Sequence, residues 1–285
     1  MSFIQRTAIL TAAAITGLTP AVSATAAAAS ASAAAAAASS PPPRDAGAAT
    51  RAAAGARAAA SGGTWGTAEK VPGTAALNKG GNAQISSVSC AKAGDCSAGG
   101  SYRDASGRLQ AFVAGEVRGV WGTAQQVPGT AALNKGGDAE ITSVSCARAG
   151  DCSAGGGYQD ASRRGQAFVA GEARGAWGKA QQVPGTAALN KRGDAAISSV
   201  SCARAGDCSA GGFYTDASRH LQAFVAGEAR GVWGTAQQVP GTAALNKRGD
   251  AAISSVSCAR AGHCSAGGSY LDASRHLQAF VVNET

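Results

Sequence analysis

Several things are scarce in this chain of 285 residues. Methionine occurs once, aromatic residues make up 5%, and charged residues 15%. A core of large packed helices rarely has this composition, so a helical bundle is excluded as the expected class. Lysine and arginine give a net charge of +8, of which +3 lies in the first 63 residues. The rest is spread thinly, without the clustered basic residues of a dedicated nucleic-acid binder, so no nucleic-acid partner is expected. Only three histidines occur. His220 and His276 share a position occupied elsewhere by Arg108 and Arg164, and His263 stands where Asp95, Asp151 and Asp207 recur. Positions that tolerate such exchanges read as exposed surface, not as a catalytic base or a metal ligand. Long hydrophobic runs are absent too. The best apolar stretch, Thr7 to Leu18, is short and interrupted by glycine, which argues against a transmembrane span.

What is abundant is repetition. Trp65, Trp121, Trp177 and Trp233 are 56 residues apart, and Pro72, Pro128, Pro184 and Pro240 keep the same step. Self-similarity at a fixed period marks solenoids, propellers or arrays. The 40 glycines and the small and β-branched residues suit short strands and tight turns.

Ahead of the repeats, residues 1–24 read as a signal peptide: Arg6, then the apolar stretch, then Ala21-Val22-Ser23-Ala24 as a cleavage site. Alternative cuts extend to about residue 33. Residues 25–63 are rich in Ala, Ser and Pro without an amphipathic face, the composition of a disordered linker. Residues 64–285 are the repeat domain, and secretion to the extracellular side is the expected localisation.

One unit predicts four strands: Ala139 to Cys146, Cys152 to Asp160, Gln166 to Glu172, and Ala176 to Val183. Ile141 and Val144 are three apart, which breaks strict alternation and predicts a bulge between them. Val183-Pro184-Gly185 fits a type II turn, and Asp160-Ala161-Ser162 a polar hairpin tip. Four antiparallel strands and a long joint make the blade of a β-propeller, giving an all-β fold with four blades. The last repeat stops after its third strand, and the repeat region opens on a lone fourth strand around Trp65. That N-terminal strand is expected to complete the last blade and close the ring, which would remove free sheet edges. A continuous β-solenoid, or a ring shared between two chains, are the other arrangements.

Each unit carries Cys-x5-Cys: Cys90 and Cys96, Cys146 and Cys152, Cys202 and Cys208, Cys258 and Cys264. Behind a secretion signal, four equivalent pairs read as four disulfides within repeats. Structural zinc would use closer spacing and four ligands, so no metal and no cofactor are expected.

Asp104, Asp160, Asp216 and Asp272 recur, as do Glu116, Glu172, Glu228 and Glu284. Catalysis needs one asymmetric set of groups, whereas these are the same in every unit, so no catalytic residues are assigned. Tyr102, Tyr158, Tyr214 and Tyr270 are either core residues between blades or a set of rings for stacking on sugars. With the variable neighbours Arg103, Gln159 and Phe213 they form the candidate binding face.

The pattern SVSCARAGDCSAGG, then YQDAS, QAFVAGE and a Trp-Gly strand ending in Val-Pro-Gly, resembles the cysteine-paired repeats of secreted actinobacterial proteins. More distantly it is similar to HAF-type extracellular repeats, with Gln110, Gln166, Gln222 and Gln278 in place of that family's His. The resemblance implies an extracellular propeller-like domain and brings no catalytic residues with it. The expected role is a binding or scaffolding module at the cell envelope, its partner a cell-wall polysaccharide or other anionic polymer. A glycan-acting hydrolase or lyase with a central site, and a purely structural surface protein, are the alternatives.

Overall fold

The computed structural model describes residues 63–285. The signal peptide and nearly all of the linker lie outside these residues. Residues 69–285 belong to one compact unit. It is all-β apart from single helical turns, and consists of four consecutive antiparallel sheets.

Sheet one contains β1 (Ala83–Lys92), β2 (Asp95–Arg103), β3 (Leu109–Val117), β4 (Val120–Trp121) and β5 (Gln125–Gln126). Sheet two repeats it with β6 (Ala139–Arg148), β7 (Asp151–Gln159), β8 (Gly165–Ala173), β9 (Ala176–Trp177) and β10 (Gln181–Gln182). Sheet three follows with β11 (Ala195–Arg204), β12 (Asp207–Thr215), β13 (Leu221–Ala229), β14 (Val232–Trp233) and β15 (Gln237–Gln238). Sheet four has three strands, β16 (Ala251–Arg260), β17 (His263–Leu271) and β18 (Leu277–Asn283). Helical turns α1 (Thr74–Leu77), α2 (Thr130–Leu133), α3 (Thr186–Leu189) and α4 (Thr242–Leu245) each precede a sheet.

The expected bulge is present in every sheet. In sheet two the register slips between Ile141 and Ser143, so that Ile141 and Val144 both enter one cluster. Two expectations are corrected. The fourth strand is broken into two pieces: Gly178 still donates its N–H to Gly171 O, but Ala180 donates to Pro128 O of the preceding joint before pairing resumes at Gln181. The long joint is not wholly irregular: after Gly185, at φ 81°, it winds into α3.

A third correction concerns closure. The N-terminal strand expected to finish the last sheet is not formed. Residues 63–71 carry no strand, and Trp65 is fully exposed. The segment from Val71 instead leads into sheet one as each joint leads into its own sheet. Pro72 O accepts from Ala124 N at 2.8 Å, the counterpart of Pro128 O with Ala180 N and Pro184 O with Ala236 N.

Most of the core lies between successive sheets, not within them. Ala111, Val113 and Val127 of sheet one meet Ile141, Val144, Tyr158, Phe168 and Trp177 of sheet two. The same set recurs between sheets two and three, and a reduced set between three and four. Close approach requires glycine at the contact: a Cβ on Gly155 would lie 2.6 Å from Ile197 Cγ2. Serine hydroxyls tie the first strands together. Ser87 and Ser89 accept from the backbone N–H groups of Val144 and Cys146, Ser143 and Ser145 from Val200 and Cys202, and Ser199 and Ser201 from Val256 and Cys258, all at 2.9–3.0 Å.

All four cysteine pairs are disulfides within their repeats, each joining directly opposed residues of the first two strands.

Candidate functional site

The residues of the expected binding face differ in their exposure. Tyr102, Tyr158 and Tyr214 are buried, 4–5% exposed, and Tyr270 is half-buried. Each ring lies against a phenylalanine of the neighbouring strand, as Tyr158 does against Phe168 at 6.2 Å edge-on. Burial first, and the Asp160 charge second, push the Tyr158 hydroxyl up to about 12. Side chains so enclosed build the core and are not available to stack on a sugar. Trp177 and Trp233 are buried as well. Arg103 is exposed, while Gln159 and Phe213 are half-buried. The neighbouring variable position faces the next sheet where sheet two meets sheet three: a Cβ on Gly157 would lie 3.2 Å from that of Ala196.

The recurring acids are held in structure. Asp160 Oδ1 accepts from the N–H groups of Ser162 and Arg164, and Oδ2 from the Gln166 amide at 3.0 Å. Gln166 Oε1 in turn accepts from Gln182 and Asn190, each at 3.1 Å. Burial pushes Asp160 up, but these hydrogen bonds outweigh it and hold the carboxyl below its ordinary range. Glu172 and Glu228 each accept a hydroxyl from the preceding sheet, Ser97 at 3.2 Å and Ser153 at 3.3 Å. The recurring aspartate thus shapes a hairpin, and the glutamate ties one sheet to the next.

Sequence reasoning missed two features. Glu140 is fully buried, where the other repeats carry Gln84, Ala196 and Ala252. It is an acidic residue unique to one sheet, contrary to the expected uniformity. The second feature is a repeated basic hairpin. The third and fourth strands are joined by two residues only: Arg118-Gly119, Arg174-Gly175 and Arg230-Gly231. Both residues have positive φ, 53° and 81° for Arg174 and Gly175. This is the turn that matches strand twist in two-residue hairpins, and Asn-Gly or Gly-Gly fill it without strain. Arginine there is strained by about 1 kcal/mol. The signal was legible: an Arg-Gly pair recurring between two strand-like stretches.

Each Arg-Gly tip is joined to the tip between the first two strands. Gly175 N–H donates to Gly150 O at 2.8 Å, and the other two sheets repeat the bond. The second tip brings another exposed cation, Lys92, Arg148 or Arg204, and one aspartate. Asp151 and Asp207 accept from the N–H groups of Arg174 and Arg230, and Asp207 lies 3.7 Å from the Arg204 guanidinium. Each of the three sheets therefore presents two exposed cations and one aspartate at the same end, with a glutamate one residue pair further in. Among the described residues no group of three or more His, Cys, Asp and Glu converges as a metal centre would.

No family model matches the chain, and no curated protein matches it. Among solved structures it is similar to the Hadza microbial sialidase Hz136, at 12% identity over 70% of this chain and 44% of the sialidase, with a TM-score of 0.46. It is also similar to a subtype N11 neuraminidase-like protein of A/flat-faced bat/Peru (H18N11), at 11% identity over 69% of this chain and 53% of the other, with a TM-score of 0.39. The chain spans about half the length of either, and neither likeness transfers a residue role.

Proposed function

We propose that the repeat domain is an extracellular binding module of the cell envelope that engages a linear anionic polymer through its basic hairpin tips. In this reading the four sheets are consecutive propeller blades, each presenting its tips at one end. The observation that carries it is the arginine of the Arg-Gly turn. A strained residue is retained three times where glycine or asparagine would sit without strain, and each time it places a cation in solvent. Backbone strain at a repeated exposed position points to a task beyond folding. Weak charge contacts repeated at fixed geometry add through effective concentration, so a polymer gains where a monosaccharide does not. The disulfides fit an oxidising compartment.

The test is titration of the purified domain with polygalacturonate, against neutral dextran as control. Binding to the polyanion alone is expected, and weakens with added salt. The triple variant Arg118→Gly, Arg174→Gly, Arg230→Gly should bind about tenfold or more weakly, a loss of roughly 1.4 kcal/mol. It should also melt at a higher temperature, because relieving each strained residue returns about 1 kcal/mol. Equal binding of dextran, or undiminished binding by the variant, would overturn the reading.

A further inference from the structure

The two ends of the sheet series are unlike its interior, and they are complementary. On sheet one, the face that would receive a preceding sheet is open. Ile85 is 39% exposed and Val88 55%, while Ile141, Ile197 and Ile253 are at 0–1% and Val144, Val200 and Val256 at 5–8%. A hollow of about 470 Å³ lies there, lined by Val71, Thr74, Asn78, Ala83, Ile85 and Phe112. Among the described residues no serine hydroxyl reaches the N–H groups of Val88 and Cys90.

On sheet four the opposite face is open. Val281 is 82% exposed, where its counterparts Val113 and Val169 are fully buried. Ser255 and Ser257, whose counterparts accept from the next sheet, face solvent. A Cβ on Gly267 would meet nothing of a following sheet, whereas on Gly99, Gly155 and Gly211 it would strike an isoleucine of the following sheet at 2.6 Å. Sheet four also lacks the tryptophan strand among the described residues. A cavity of about 150 Å³ remains between sheets three and four, lined by Ser209, Val225, Thr235, Pro240, Ala266 and Val282. The equivalents Val113, Ala154 and Ala170 share their cluster with Trp177.

We infer that these two faces bind one another between copies of the chain: the open face of sheet four receives sheet one of a second copy. The second copy then continues the repeat in register, and Trp65 of the second copy fills the cavity that Trp177 fills between sheets one and two. The template is the sheet–sheet contact that the chain builds three times within itself. Every element has both halves present and unused: Ser255 and Ser257 hydroxyls for Val88 and Cys90 N–H, Gly267 for Ile85 and Val88, and a cavity for Trp65. The same copy cannot supply its own partner in the arrangement observed, because both faces stand exposed. The contact is head to tail, so the assembly either closes into a ring or continues as a chain of copies.

Sedimentation of the intact protein over a concentration series tests this, with two variants at exposed positions that leave each protomer's own sheets untouched. Val88→Asp spoils only the first face, Val281→Asp only the last. The wild type should form species of two or more copies, and Trp65→Ala should weaken them about tenfold or more. Each Asp variant alone should be monomeric. An equal mixture should give a species of two, because the good last face of Val88→Asp meets the good first face of Val281→Asp. A wild type that stays monomeric at high concentration overturns the inference, as does assembly that both variants leave intact. A monomer whose melting temperature falls on Trp65→Ala also overturns it, showing that the chain covers its own faces.

Discussion

Sheets one and three carry nearly the same residues and have different surroundings. The bulge after the isoleucine, the disulfide and the first hairpin are the same in both, down to the register of paired residues. Yet Ile85 is 39% exposed and Ile197 1%, Val88 55% and Val200 5%. Local sequence decides the strand, the slip in register and the turn. Burial comes from the sheet that precedes, and among the described residues only residues 63–82, α1 included, come before sheet one. The stabilisation of this domain therefore sits between repeats, as expected of arrays whose units cannot bury their apolar faces alone.

The sharpest way to break this comparison is to make the same substitution in both places. Ile197→Ala should cost about 3 kcal/mol, through lost transfer energy and the cavity left behind. Ile85→Ala should cost under about 0.5 kcal/mol in the monomer, as for an exposed residue. Urea unfolding of the two variants measures both, and equal losses would show that sheet one is covered in solution.

Removing a disulfide should behave in the opposite way. A link closing seven residues stabilises by about 2.4 kcal/mol, acting mainly on the unfolded chain. Double serine variants at Cys90 and Cys96 and at Cys202 and Cys208 should then lose similar amounts, although one pair lies on the open sheet. A much smaller loss in sheet one would mean that burial, not loop closure, sets the value.

Glycine provides a third contrast. Gly155→Ala forces a Cβ to 2.6 Å from Ile197 Cγ2, and overpacking of this kind costs about 1–3 kcal/mol. Gly267→Ala meets only ordinary contacts, the nearest being Phe280 O at 3.6 Å, and should change the monomer by less than about 0.5 kcal/mol. In the head-to-tail assembly the contrast closes, because Gly267 then faces an isoleucine as Gly155 does.

The strands, the bulge, the within-repeat disulfides and the hairpin at Asp160 were legible in one repeat because each is decided by neighbours in sequence. The fate of Tyr158 was not: a ring on a strand has two faces available, and only the packing of Phe168 and Ile141 shows which one it takes. Nor was the ring closure expected around Trp65. That inference followed from the phase of the repeat, which says what could complete sheet four and is silent on which copy provides it. The Arg-Gly turn was legible and overlooked. Its two-residue spacing and repeated cation were visible, but its strain required dihedral angles. Glu140 breaks a repeat otherwise occupied by glutamine and alanine, and a position-by-position alignment of the four units exposes it.

The smallest expected effect separates the two series of acids by the sign of their response to pH. Glu172 is held above its ordinary 4.5, first by burial, against which the Ser97 hydroxyl works, and further by the charge of Asp151; Glu228 is raised in the same way. A carboxyl whose folded value is raised binds protons more readily folded than unfolded. Its contribution is therefore favourable at low pH and is lost as pH rises from the ordinary glutamate range through the raised value. Asp160 and Asp216 are lowered: burial opposes, but the backbone and glutamine hydrogen bonds prevail. Their contribution is complete above the ordinary aspartate range and is lost as pH falls through the lowered value. The two series together predict a shallow maximum of stability in mildly acid solution, with opposite residues responsible for its two sides. Glu172→Gln should flatten the neutral side and leave the acid side unchanged, since its amide does not titrate and can still accept from Ser97. Asp160→Asn should flatten the acid side and lower stability throughout, because a neutral oxygen accepts less strongly from the Ser162 and Arg164 N–H groups and the amide nitrogen beside it cannot accept from Gln166. Melting curves from about pH 3 to about pH 7 decide the matter. A Glu172→Gln curve parallel to the wild type on the neutral side would show that the inter-sheet glutamate does not titrate in that range, and would remove the electrostatic part of the contact between sheets.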